Sequence, residues 1–171
     1  VVGDYTGAVS LSGTASNAPD GTAPVYGAYT FDGSEGGVYD ISGTTLYCAE
    51  SGVTITADDG TYTGTSNVFD VVWGDMDHFA VGPLSDQEAG VAFLVHVEAR
   101  DSWDNVVEDY TGTVQLSGTA SNAPDGTAPV YGAYTFDGSE GGVYDISGTT
   151  LYCAESGVTI TADDGTYTGT S

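Results

Sequence analysis

The chain repeats itself. Val1–Ser66 and Val106–Ser171 agree at all but three of their 66 positions, Gly3/Glu108, Ala8/Thr113 and Ser10/Gln115, at a constant offset of 105. Self-similarity at a fixed period constrains architecture more than any single motif, because one fold must serve both copies. A 105-residue period is too long for a solenoid turn and suits one small domain per repeat. Neither copy fills a period: the first runs on into Asn67–Val72, and residues 67–105 precede the second. We therefore read 1–73 as the C-terminal part of one repeat, 74–77 as a short junction, and 78–171 as the next repeat lacking its last strand. The chain is expected to be a window on a longer tandem array.

The periodicity is that of strands. Val91, Phe93, Val95, Val97 and Ala99 alternate with Leu94, His96, Glu98 and Arg100, the pattern of a half-buried strand in an antiparallel sheet. Val53, Ile55 and Ala57 alternate likewise, and shorter segments are expected at Val9–Leu11, Val25–Phe31, Val38–Ile41, Leu46–Ala49 and Asn67–Val72. Ser16–Ala23 is dense in turn residues, and Asp32–Gly37 is expected to close a hairpin. No stretch carries helical periodicity with caps. About seven short strands per repeat predict an all-β sandwich.

Charge excludes two classes of partner. Twenty-five acidic residues face one basic residue, Arg100, for a formal charge of −24. Such a surface repels nucleic-acid phosphates and anionic head groups, and no apolar run approaches the roughly 20 residues of a membrane helix. High net charge often accompanies disorder, but 40% hydrophobic content and 12 tyrosines predict a packed core.

From Phe93 to Ser117 the sequence reads FLVHVEARDSWDNVVEDYTGTVQLS, followed by Ala133–Phe136, Gly142–Val143 and Gly157–Ala162. This resembles the tandem bacterial Ig-like domains of very large prokaryotic surface proteins, over one whole period. The resemblance implies tandem immunoglobulin-like β-sandwich domains at a 105-residue repeat. It implies an extracellular, cell-surface role as filament, stalk or adhesin shaft, with adjacent repeats and identical neighbouring chains as partners. The competing reading is a carbohydrate- or protein-binding module using the loops Ser16–Ala23 and Asp32–Gly37 of the Tyr-rich region.

Catalytic motifs are absent, and neither His78 nor His96 has a convergent nucleophile in sequence, so no enzymatic activity is expected. No cofactor is required. Calcium is the candidate cation, because it takes oxygen ligands from flexible loops. Asp75 and Asp77 in the junction and Asp101, Asp104 and Asn105 in the following loop would supply them, with Asp58–Asp59 and Asp163–Asp164 as a second cluster. Turn formation is the plainer role for all of these. Each copy has one cysteine, Cys48 or Cys153, at equivalent positions expected to lie a domain length apart in adjacent beads, too far to bridge; each is read as a small core side chain or as half of an inter-chain disulfide. The surplus tyrosines are expected to line contacts between beads or chains.

Overall fold

Thirteen strands and no helix build the chain in a computed structural model that describes residues 1–171. They fall into two units, Val1–Val72 and Trp73–Ser171.

Unit 1 contains β1 (Thr6–Gly13), β2 (Ala28–Asp32), β3 (Glu50–Val53), β4 (Ile55–Asp58), β5 (Thr63–Thr65) and β6 (Phe69–Val71). Four of them form an antiparallel sheet in the order β2-β1-β4-β5, and β3 pairs with β6. The chain leaves one sheet for the other at Thr54. There the Thr54 N–H donates to Thr14 Oγ1, and Thr54 O accepts from the Thr14 N–H.

Unit 2 contains β7 (Met76–Val81), β8 (Ala92–Asp101), β9 (Thr111–Gly118), β10 (Ala133–Asp137), β11 (Val143–Thr150), β12 (Ile160–Asp163) and β13 (Thr168–Thr170). The antiparallel sheets are β10-β9-β12-β13 and β11-β8-β7. One core joins them. Phe79, Val95, Val97, Ala99 and Ile146 come from the three-stranded sheet; Val114, Leu116, Phe136, Ile160 and Ala162 come from the four-stranded one. Side-chain alternation on every strand puts one face of each sheet into this core. At β13 the approach is so close that a Cβ on Gly169 would overlap the Phe79 carbonyl.

The two copies build the same ladder. Thr6↔Asp32 and Ser10↔Ala28 in unit 1 correspond to Thr111↔Asp137 and Gln115↔Ala133 in unit 2. Leu11↔Ala57 corresponds to Leu116↔Ala162.

Several local expectations change. Neither Asp32–Gly37 nor its equivalent Asp137–Gly142 closes a hairpin: β2 pairs with β1 while Val38–Ile41 joins no strand, and β10 pairs with β9 while β11 pairs with β8, so the second segment crosses between sheets. Glu140 organises the crossing by accepting from the Asp137 N–H and the Tyr134 hydroxyl. Gly141 and Gly142 take φ of +66° and +73°, which glycine tolerates without steric cost. The segment Leu46–Ala49 is not a strand; pairing starts at Glu50, where β6 is available. Residues 74–77 lie inside unit 2, with Met76 and Asp77 already in β7. Val91 is 51% exposed and stands outside β8.

Candidate functional site

The acidic loop after β8 is built around a buried carboxylate. Asp101 is 1% exposed. Its Oδ1 accepts from the N–H groups of Trp103 (2.9 Å) and Asn105 (3.0 Å), and its Oδ2 from that of Gly74 (2.8 Å). The Asn105 side-chain amide reaches both oxygens, at 3.2 and 3.0 Å. Burial by itself would push the Asp101 pKa up. Hydrogen bonds from the Asn105 side chain and from the Gly74, Trp103 and Asn105 main chain outweigh it and hold the group below the usual carboxylate range. The main chain closes the turn through Asp101 N–H to Asn105 O and Asp104 N–H to Asp101 O, with Asp104 at φ +65°. A carboxylate so fully supplied with donors organises a loop.

The other candidate ligands sit apart from this pair. His78 Nδ1 lies 3.1 Å from Asp77 Oδ2, and its Nε2 lies 3.1 Å from Asp104 Oδ1. Asp75 is exposed and joins neither group. The structure gathers no set of three or more His, Cys, Asp or Glu side chains that could hold a metal. In the second acidic cluster, Asp59 Oδ1 accepts from the Thr61 and Tyr62 N–H groups, and Tyr5 donates to Oδ2 at 2.6 Å. Tyr110 and Asp164 repeat this at 2.7 Å. Burial, then the Asp164 bond, raises the Tyr110 pKa.

The three-stranded sheet carries the one strong cation. Arg100 Nε donates to Glu98 at 2.8 Å, and the Arg100 guanidinium also reaches Glu98 through Nη2 and Asp104 O through Nη1. His96 lies between two carboxylates: Nδ1 is 2.7 Å from Asp145 and Nε2 is 3.1 Å from Glu98. The Asp145 bond, then the Glu98 bond, raises the His96 pKa. Both histidines thus face acids.

The tyrosines divide between core and surface. Tyr134 stacks on Tyr144 with centroids 3.5 Å apart and meets Phe136 edge-on, an arrangement Tyr29, Tyr39 and Phe31 repeat in unit 1. The Glu35 bond leads the causes that push the Tyr29 pKa up to about 12. Both candidate binding loops are partly exposed, with Ala18 buried and Glu35 half-buried, and both are held by a glutamate. The Ser16 N–H and hydroxyl donate to Glu50 at 2.6 and 2.9 Å, as Ser121 does to Glu155. Glu35 accepts from the Gly33 N–H and the Tyr29 hydroxyl. Cys48 and Cys153 are free and half-buried; burial pushes the Cys48 thiol up, with a further contribution from Glu50.

The sequence assigns no ligand chemistry to one hollow of unit 2. A groove of about 470 Å³ lies between Leu84–Ala89 and Cys153–Val158, floored by Phe93 and Ile160. The signal for it in the sequence is the expectation that 78–171 lacks a strand equivalent to Asn67–Val72.

No protein-family model matches the chain, and no curated protein matches it. Among solved structures it is similar to the apo structure of Bacteroides uniformis beta-glucuronidase 3, at 15% identity and a TM-score of 0.40. That similarity covers 97% of this chain and 21% of the other, and at this score it carries no argument about activity.

Proposed function

We propose that the chain is a structural extracellular protein, a run of Ig-like β-sandwich beads at a 105-residue repeat that forms a prokaryotic cell-surface filament, stalk or adhesin shaft. The observation that carries this reading is the duplicated ladder. The registers of β1, β2, β4 and β5 recur in β9, β10, β12 and β13 at the sequence period. A unit made twice to one plan suits repeated mechanics better than a single reactive centre. The strand path of unit 2 supports the Ig-like assignment. β7 and β8 pair in one sheet, β9 and β10 in the other, and β11 then returns beside β8 and β12 beside β9, a two-sheet path with long returns. The charge of −24 keeps such beads from collapsing onto one another.

Electron microscopy of polymers of one, two and four 105-residue periods tests the proposal. The expected result is a thread whose length grows by a constant increment of a few tens of ångströms per period. Particles that stay globular as periods are added would overturn it.

A second reading has its own support. The loops Ser16–Ala23 and Asp32–Gly37 are partly exposed and pre-organised by Glu50 and Glu35, as a glycan- or protein-binding module requires. A glycan array probed with the chain would favour this reading if binding disappeared in the double variant Glu50→Ala/Glu155→Ala, which alters both copies of the loop.

A further inference from the structure

We infer that the groove beside Glu155–Val158 in unit 2 is a strand-acceptor site whose occupant is an extended segment of the chemistry Asn-Val-Phe-Asp-Val-Val. The two copies of one sequence supply the argument, which does not depend on the extracellular role proposed above. In unit 1, Glu50-Ser-Gly-Val53 is strand β3 because β6 lies against it, with Glu50 opposite Val71 and Val53 opposite Phe69. The Gly52 N–H donates to Asp70 Oδ1 at 3.1 Å. Phe69 and Val71 turn inward, Val68 and Val72 outward, and Val53 is 1% exposed.

The same tetrapeptide in unit 2, Glu155-Ser-Gly-Val158, forms no ladder. Val158 is half-buried there, and Ala154 and Glu155 are exposed where Ala49 and Glu50 are half-buried. The hollow in front of these residues is the groove lined by Phe93, Cys153 and Ile160. Its frame is already set, because Glu155 holds Ser121 as Glu50 holds Ser16. The segment is therefore unpaired, and an added strand can order it by main-chain bonding as β6 orders β3. By the register of unit 1, the incoming Phe lies opposite Val158, the incoming Val opposite Glu155, and the Asp between them accepts from the Gly157 N–H.

The 171-residue chain is titrated with a synthetic peptide of the Asn67–Trp73 sequence and followed by two-dimensional amide NMR. Exchange measured by mass would not serve, since the peptides from the two copies are identical over this region. Shifts are expected at Glu155, Ser156, Gly157 and Val158, while Glu50–Val53, already covered by β6, stay in place. A peptide with Phe69→Asp should give no shift, and one with Asp70→Ala should bind about tenfold more weakly through loss of the charged acceptor. In parallel, the same seven residues are appended after Ser171, where the spacing from β13 equals that from β5 to β6 and the strand is held at high effective concentration. Protection of the Glu155–Val158 amides in the extended chain supports the site even where the free peptide is silent. Unchanged Glu155–Val158 amides in both experiments, or peptide shifts centred on the β10 or β13 edge instead, overturn the inference.

Discussion

Two copies of one 66-residue sequence occupy different surroundings in this molecule, and the contrast isolates what neighbours contribute. Val38–Thr45 and Val143–Thr150 are the same eight residues. In unit 2 they form β11 because β8 lies beside them. In unit 1 they make only an isolated bridge, Val25↔Thr45. Burial follows pairing. Ile146, Val114, Leu116, Ile160 and Ala162 are at most 1% exposed, whereas Ile41, Val9, Leu11, Ile55 and Ala57 are all half-buried. Val107 is 6% exposed and its equivalent Val2 is 65% exposed. Where unit 2 is closed by Phe79, Val95 and Val97, unit 1 has a hollow lined by Val2, Tyr5, Val9 and Ala57. Every strand that differs between the copies differs because residues 67–105 donate β6 to one unit and β7–β8 to the other. Local propensity is equal in the two; the partner strand decides the outcome.

The largest effect expected from this contrast is separate unfolding. Fully burying a Val, Leu or Ile contributes about 1.5–3 kcal/mol, so five half-exposed core residues leave unit 1 several kcal/mol weaker. Trp73 and Trp103 both lie in unit 2, so tryptophan fluorescence reports that unit while far-ultraviolet circular dichroism reports both. The circular dichroism is expected to begin its transition at lower urea than the fluorescence. Coincident curves would remove the asymmetry.

Truncation of a matched core pair comes next. Ile160→Ala should cost unit 2 about 2–5 kcal/mol, the range for a fully enclosed aliphatic side chain. Ile55→Ala should cost unit 1 about 1 kcal/mol or less, because water already reaches that site. Equal losses in denaturant titrations of the two variants would mean that the cores are equally closed.

A glycine pair gives a cleaner contrast of smaller size. A Cβ on Gly169 would overlap the Phe79 carbonyl of β7, while one on Gly64 meets nothing within 4 Å. Gly169→Ala should therefore lose about 1–3 kcal/mol by overpacking, and Gly64→Ala should change stability by no more than ~0.5 kcal/mol. Thermal midpoints of the two variants read this directly, and a loss in Gly64→Ala would show that its site too is covered.

The smallest expected effect is a pH dependence confined to unit 2, since unit 1 contains no histidine. The folded pKa of His96 is raised above 6.5 by Asp145 and then Glu98. The stabilisation is thus fully present below the unfolded value and is lost as pH rises through the folded one. The His96 side chain is 44% exposed, so screening by solvent limits the amount to about 0.2–1 kcal/mol. Fluorescence-detected stability should fall slightly from pH 6 to pH 8, and His96→Gln should flatten the slope. An equal slope in the variant would assign the dependence to another group.

Much of the scaffold is legible in the residues. The alternation in Val91–Arg100 anticipates β8 and its buried Val95, Val97 and Ala99, because a period of two has one reading once an apolar face must be covered. The expected closing strand at Asn67–Val72 appears as β6. The Asp32–Gly37 segment and its copy Asp137–Gly142 mislead, because two short apolar runs around a glycine-rich turn look alike whether the runs pair with each other, enter opposite sheets as in unit 2, or leave one run outside any strand as in unit 1. The acidic loop is legible as a turn, but not the division of labour within it. That Asp101 is buried with Asn105, while Asp77 and Asp104 meet His78 on the surface, depends on where β7 passes the end of β8. The Glu155–Val158 segment carries no composition signal, since it is identical to the one that forms a strand at Glu50–Val53.

By itself the sequence determined the repeat, the all-β character, the acidity and the strands whose alternation is unambiguous, because these follow from spacing and side-chain chemistry along one segment. Tertiary structure alone decided which of two identical segments becomes a strand and which core is closed. Those outcomes depend on main-chain hydrogen bonds and apolar contacts with residues distant in sequence, and an identical local sequence contains no record of whether such a partner is there.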